Sequence, residues 1–337
     1  MIGKLRTLAV AVLSAAAYCQ LAFGQAAPAT ILDIELENYV VYFNDVTDYS
    51  RLATDPNRTT VTQPRNFGQA IGIADIVSVN GKPAKGVFTE RRTQLNHAIN
   101  PTPGQAMADT VRGDWLDRYY EILKPDGTSI GSIYTSGPGG GNRIPGAPAA
   151  MLGADFTVVG GTGAFLGARG QAGGTQDPRP APRSASMTED PANRRIHGGG
   201  QRRFIVQLIP MSRPEVAQTL SGPAVVHAND FTLVTAARPA RAGEILSLFA
   251  TGFGPTQPGV DPGKPFPASP LSVVNSPVEV TVNGAPAEVL AAVGFPGAVD
   301  GYQVNFRLPL GIAPGTVRLQ VSAAWIAGSE ATIPVQQ

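Results

Sequence analysis

The stretch Val158-Val159-Gly160-Gly161-Thr162-Gly163-Ala164-Phe165-Leu166-Gly167-Ala168-Arg169-Gly170 decides how the first half of this 337-residue chain folds. Two β-branched residues lead into a run of glycines, where the backbone must turn sharply or meet another strand closely, and Phe165 and Leu166 then resume an apolar pattern. The reading is strand, tight turn, strand. A phosphate-cradling loop is the alternative for such a run. That loop needs GxGxxG or GxxxxGK(S/T) at the start of a helix, and Gly167, Gly170, Gly173 and Gly174 break any helix that could follow.

Outward from this stretch the chain alternates in the manner of strands. Leu32, Ile34 and Leu36 fall on one face, Asp33, Glu35 and Glu37 on the other, and an apolar run follows at 39–43. Residues 45–67 carry charges and prolines without a period and read as an excursion. Residues 71–79 close at Asn80-Gly81 and restart at 84–95, a hairpin signal. Residues 115–123 and 129–135 flank the turn Lys124-Pro125-Asp126-Gly127 and form a second hairpin. With 155–159, 164–169 and 203–208 the set reaches about eight strands, the number at which an antiparallel sheet closes into a small barrel. Two insertions, 136–148 and 171–200, are rich in Gly, Pro and Arg and read as mobile rim loops rather than as a lid.

On Val159, Gly160, Gly161, Thr162, Gly163, Phe165, Ala168, Arg169 and Gly170 the chain resembles the plant dirigent and allene oxide cyclase superfamily, whose members carry a VxGGTGxFxxARG-like segment before a late barrel strand. The resemblance implies a barrel over residues 28–210. It further implies a cofactor-free protein that holds a small hydrophobic molecule and constrains its cyclisation or coupling, and a homotrimer.

After Met211 the charges thin and short strands recur at 231–234, 244–250, 278–282, 287–292, 302–307, 317–323 and 331–335, with Asn283-Gly284 setting one hairpin. Seven such strands fit an immunoglobulin-like sandwich over residues 213–337. This half is similar to a C-terminal domain recurring in large secreted proteins of environmental bacteria. The likeness rests on Ala224-Val225-Val226-His227, Ala240-Arg241-Ala242-Gly243-Glu244, Phe249-Ala250-Thr251-Gly252-Phe253-Gly254-Pro255, Val282-Asn283-Gly284-Ala285-Pro286-Ala287 and Tyr302-Gln303-Val304-Asn305-Phe306. It implies an exported accessory module. The fold class expected for the whole chain is therefore all-β, an eight-stranded antiparallel barrel followed by a sandwich.

Residues 1–24 read as a signal peptide: Lys4 and Arg6 give a basic start, residues 8–17 an apolar core too short to span a bilayer, and Ala22-Phe23-Gly24 a cleavage site. The mature chain is then secreted, with no membrane span. Cys19, the sole cysteine, leaves with the leader, since Tyr18 stands where a lipobox wants a small residue; disulfides and thiolate chemistry are excluded with it. Loss of Lys4 and Arg6 leaves 24 basic residues against 25 acidic ones, from 26 and 25 in the whole chain, a balance that points to no nucleic-acid partner.

Chemistry is sparse. His97, His197 and His227 lie in separate segments without metal-ligand spacing, so no metal is expected, and no GxSxG elbow precedes a helix. The candidates are polar residues on strand faces that otherwise look inward. Asp75 shares a face with Ile73, Val77 and Val79, Glu90 with Phe88, and Tyr119 and Glu121 with Trp115 and Leu123. Asp75, Glu90 and Glu121 are the candidate general acids or bases, their pKa values raised by burial, with Asp75 foremost; Tyr119, Trp115 and Arg169 are the candidate ligand contacts. The competing reading pairs these carboxylates with Arg91, Arg92 or Arg118 on a solvated outer face, since one register slip reverses every assignment. Arg169 reads equally as an anion contact and as a clamp on neighbouring carbonyls. Two functions follow: a barrel that binds a small hydrophobic ligand, with or without a cyclase-like or dirigent-like reaction, or a non-enzymatic exported module for surface or matrix attachment.

Overall fold

A computed structural model of the chain describes residues 30–45, 67–95, 114–139, 152–175 and 177–336. The leader at 1–24, the excursion at 46–66, His97 and the part of the first insertion beyond residue 139 lie outside them.

The described residues between 30 and 209 form one antiparallel barrel. Its strands are β1 (Thr30–Asp45), β2 (Phe67–Val79), β3 (Lys85–Leu95), β4 (Asp114–Leu123), β5 (Ser129–Gly139), β6 (Leu152–Gly163), β7 (Arg169–Gly174), β8 (Arg183–Ser186) and β9 (Gly200–Ile209). The order β2-β3-β4-β5-β6-β7-β9-β1 closes because β1 pairs with β2 as well as with β9, which makes eight strands around. The alternation of β1 puts Leu32, Ile34 and Leu36 inside at 0 % exposure. A bulge between Leu36 and Tyr39, with Asn38 at φ 54°, then resets the phase so that Tyr39 and Val41 continue the inner face.

Asn80 and Gly81 both take positive φ in the first hairpin, as its sequence requires. The glycine stretch divides differently from expectation. Its first six residues finish β6, residues 164–168 form the turn, and Arg169 opens β7, so 164–168 are not strand. The cause is Gly163 at φ 62° and Gly167 at φ 71°, between which backbone bonds such as Phe165 N to Thr162 O and Ala168 N to Phe165 O close the turn. Phe165 and Ala168 point back into the core, each 1 % exposed.

The second insertion is also not a loose rim. Beyond the Tyr39–Gly200 pair the free edge of β1 takes up β8 in parallel, Val40 opposite Arg183, and a 3-10 helix at Pro191–Arg195 follows. Little apolar area holds it: Ala185 with Val40, Tyr42 and Ile73. Ion pairs do the rest, with Arg179 on Glu35, Arg183 on Glu189, Arg194 and Arg195 on Asp75, and Arg203 on Asp33 and Asp177. The arginines that made this insertion look unstructured find their counterparts in Glu35 of β1, Asp75 of β2 and Glu189 of the insertion itself.

Residues 215–336 form a second, curled sheet with β10 (Ile245–Thr251), β11 (Val278–Val282), β12 (Ala285–Gly294), β13 (Tyr302–Arg307), β14 (Gly315–Ala323) and β15 (Ile326–Gln336) in the order β10-β13-β12-β11-β14-β15. Residues 231–234 follow a turn at 228–230 and carry a single isolated bridge, Leu233 to Val226, instead of a strand, with Phe231 at φ 56°. The β14–β15 turn, Ala324-Trp325, reaches the barrel: Ala324 and Ile326 belong to its apolar cluster with Phe165 and Ala168, and Trp325 packs against it. An ion pair between Lys82 and Glu279 ties the same end.

Candidate functional site

Glu90 stands opposite Gly72 on β2 and Arg118 on β4, on the inner face of β3 between Phe88 and Arg92. Its side chain is 0 % exposed, and both oxygens are occupied. Tyr39 Oη donates to Oε1 at 3.0 Å, Arg92 Nη2 to Oε1 at 2.7 Å, and Arg118 Nε to Oε2 at 2.6 Å. Burial pushes the carboxyl up, but the charges and hydrogen bonds of Arg118 and Arg92 outweigh it and hold Glu90 below the ordinary carboxylate value. That corrects the sign expected from burial alone. Glu90 is an ionised member of a buried pair.

Aromatic rings enclose the pair. The Arg118 guanidinium lies 3.8 Å from the Phe156 ring centroid and 4.6 Å from that of Phe204. Phe88 packs edge-on to Tyr39 at 5.5 Å and to Tyr120 at 5.0 Å, and stacks on Phe204 at 5.5 Å.

Polar groups also stand within this apolar wall. Arg118 faces Thr135 directly across β4 and β5, and Tyr120, opposite Ile133, lies diagonally beside it. Among the described residues Arg118 Nη1, Tyr120 Oη and Thr135 Oγ1 are buried without a well-formed hydrogen bond, and Thr135 and Arg118 lie near enough to the Tyr120 hydroxyl to lower its pKa. Burial pushes the Tyr120 hydroxyl up to about 12 against the lowering field of Arg118, so it stays protonated. Burial likewise raises Tyr39 above the ordinary phenol value, with the Glu90 charge adding to it.

The other sequence candidates lie elsewhere. The inner face of β4 is Leu116, Arg118, Tyr120 and Ile122, so Trp115, Tyr119 and Glu121 look outward, with Trp115 55 % exposed and Tyr119 packed on Tyr134 at 4.7 Å. Asp75 is outward too, since Ala70, Ala74 and Ile76 fill the inner face of β2. It binds Arg194 Nη2 at 2.6 Å, Arg195 at 2.8 and 2.7 Å, and Asn38 Nδ2 at 3.0 Å. Burial favours its neutral form, but hydrogen bonds from Arg195, Arg194 and Asn38 bring it down to about 2. Arg169 Nη1 donates to the carbonyls of Val159 and Ala168, each at 3.0 Å, which is the carbonyl-clamp geometry. The structure thus gathers only Glu90 of the predicted set and adds Tyr39, Arg118, Tyr120 and Thr135. Their signal in the sequence was the alternate face of β4, where Leu116, Tyr120 and Ile122 are no less apolar than Trp115, Tyr119 and Leu123.

His227 is 3 % exposed and bonded to Glu244 at 2.6 Å, which locks the β10 edge of the second sheet. That sheet also carries a cleft of about 130 Å³ lined by Thr256, Asp261, Lys264, Phe266, Asp300 and Tyr302, which brings none of the candidate residues together. Among the described residues no cluster of three or more His, Cys, Asp or Glu is placed to hold a metal, and no helix is long and apolar enough to cross a membrane. Comparison of the chain with protein families, with curated proteins and with solved structures returned no match.

Proposed function

We propose that the barrel binds a small, largely apolar molecule in its interior without a cofactor, in an exported protein resembling the allene oxide cyclase and dirigent barrels, with an immunoglobulin-like second unit. The observation that carries this reading is the set of buried polar atoms on Arg118, Tyr120 and Thr135 that, among the described residues, make no well-formed hydrogen bond inside an aromatic wall. A barrel core serving packing alone gains nothing from them, because each such group forfeits about 1–3 kcal/mol of solvation. Native mass spectrometry of the full chain purified from its own host tests the reading. The expected result is a retained small-molecule adduct that is lost on collisional activation; only the bare chain mass, before and after incubation with apolar compounds, overturns it.

A second reading, a non-enzymatic exported module for surface or matrix attachment, is favoured by a different observation. Trp115, Tyr134 and Val159 leave 55, 46 and 49 % of their surface exposed on the outer barrel wall, with Tyr119 beside them. Adduct formation without self-association or surface adhesion separates the first reading from the second.

A further inference from the structure

We infer that the cleft of the second sheet binds a small zwitterion of the α-amino acid class, its ammonium held by Asp300, Tyr302 and Asp261 and its carboxylate by Lys264. This inference is independent of the barrel interior.

Main-chain bonds build the cleft. Asp261-Pro262-Gly263-Lys264 is a tight turn closed by Lys264 N donating to Asp261 O at 3.0 Å, with Gly263 at φ 78°. Phe266 N donates to Ala298 O and Gly297 N to Phe266 O, each at 2.9 Å, which ties this turn to the loop that carries Asp300. A site fixed in this way loses little conformational freedom when it is filled. Phe266 and Tyr302, 7 and 4 % exposed with ring centroids 5.2 Å apart, supply its apolar part. The volume of about 130 Å³ suits a body of roughly six heavy atoms, since a cavity of about 150 Å³ holds one benzene.

The supply of donors and acceptors sets the ligand's chemistry. Tyr302 Oη donates to Gly254 O at 2.7 Å and Thr256 Oγ1 to Pro258 O at 3.0 Å, so what remains on both hydroxyls is lone pairs. Burial raises the Tyr302 phenol above its ordinary value and the charge of Asp300 adds to it, which sets that carboxylate beside the hydroxyl. One phenolic hydrogen cannot serve both Gly254 and Asp300. Asp261 brings a second carboxylate to the lining and Lys264 an ammonium, and among the described residues neither side chain enters an ion pair or a hydrogen bond. The acceptor-rich part calls for a charged donor, and the lone cationic donor calls for an anion. An α-amino acid carries three ammonium hydrogens and an acceptor-only carboxylate in one small body. An alkylammonium without the carboxylate leaves Lys264 facing a second positive charge, and a lone anion meets the like charges of Asp261 and Asp300. A divalent cation lacks ligands, since among the described residues no three His, Cys, Asp or Glu are placed for one.

The test titrates the full chain by calorimetry with glycine and L-alanine, each beside its N-acetyl derivative and its amide. At least one amino acid is expected to bind, with its N-acetyl derivative, which lacks the ammonium, roughly ten-fold or more weaker and its amide, which lacks the carboxylate, several-fold weaker. Asp300→Asn should weaken amino acid and amide alike by roughly ten-fold. Lys264→Met should weaken the amino acid several-fold without weakening the amide. Both residues are exposed, so each variant should keep the wild-type Tm. Equal binding of an amino acid and its two derivatives, or binding that neither variant alters, overturns the assignment, as does failure of both amino acids to bind. Each of these outcomes leaves the reading of the barrel interior untouched.

Discussion

At the residue scale, the pairing of Glu90 with Arg118 governs the barrel. A carboxylate at 0 % exposure survives only because two guanidiniums and a phenol meet it. Glu90→Ala leaves Arg118 buried without its acceptor, and the expected loss is about 3–5 kcal/mol in urea unfolding. A loss under about 1 kcal/mol would mean that the pair is solvated. Asp75 makes a separate pH prediction. Its folded pKa of about 2 lies below the ordinary 3.8, so its contribution is complete above 3.8 and is lost as the pH falls from there toward 2. Asp75→Asn removes that component, so the Tm gap between wild type and variant should narrow across this window and stay constant from pH 5 to 7. Glu90 was legible in the sequence because Phe88 and the hairpin fixed its face. Asp75 was not, because both faces of β2 are apolar: Ala70, Ala74 and Ile76 look in, Ile73 and Val77 look out.

Among the elements, hairpins announced by Asn-Gly pairs appeared where the sequence put them, since only residues tolerant of positive φ fit those turns. The glycine stretch was legible as a turn but not in its limits, which depend on contacts with β5. An added Cβ at Gly163, φ 62°, would sit 2.5 Å from the Ile130 carbonyl oxygen, whereas one at Gly160 meets nothing within 4 Å. Gly163→Ala should therefore cost about 1–3 kcal/mol in chemical denaturation and Gly160→Ala close to nothing. Equal costs would contradict the turn geometry. The segment from β8 to the 3-10 helix was misread because its cohesion is ionic and long-range. Arg194 and Arg195 meet Asp75 more than a hundred residues away in sequence, which no local period reveals.

For the whole molecule, two sheets share a seam. The Ala324-Trp325 turn holds both residues at positive φ, 49° and 63°, and inserts Ala324 and Ile326 into the barrel cluster. Ile326→Asp places a charge there and should split a single calorimetric transition into two. One transition retained at the wild-type Tm would show the seam to be energetically minor. An eight-stranded barrel was legible in the sequence, although the strand expected at 164–169 is a turn and the seventh strand runs Arg169–Gly174; the seam was not legible, because nothing in an Ala-Trp turn signals what it touches. The interior as a binding site is the central claim, and intermolecular NOEs between dodecanoic acid protons and the full chain address it directly. The account predicts contacts from the acyl chain to Phe88, Phe156 and Phe204. Contacts confined to Trp115, Tyr119 and Tyr134 on the outer wall would contradict it.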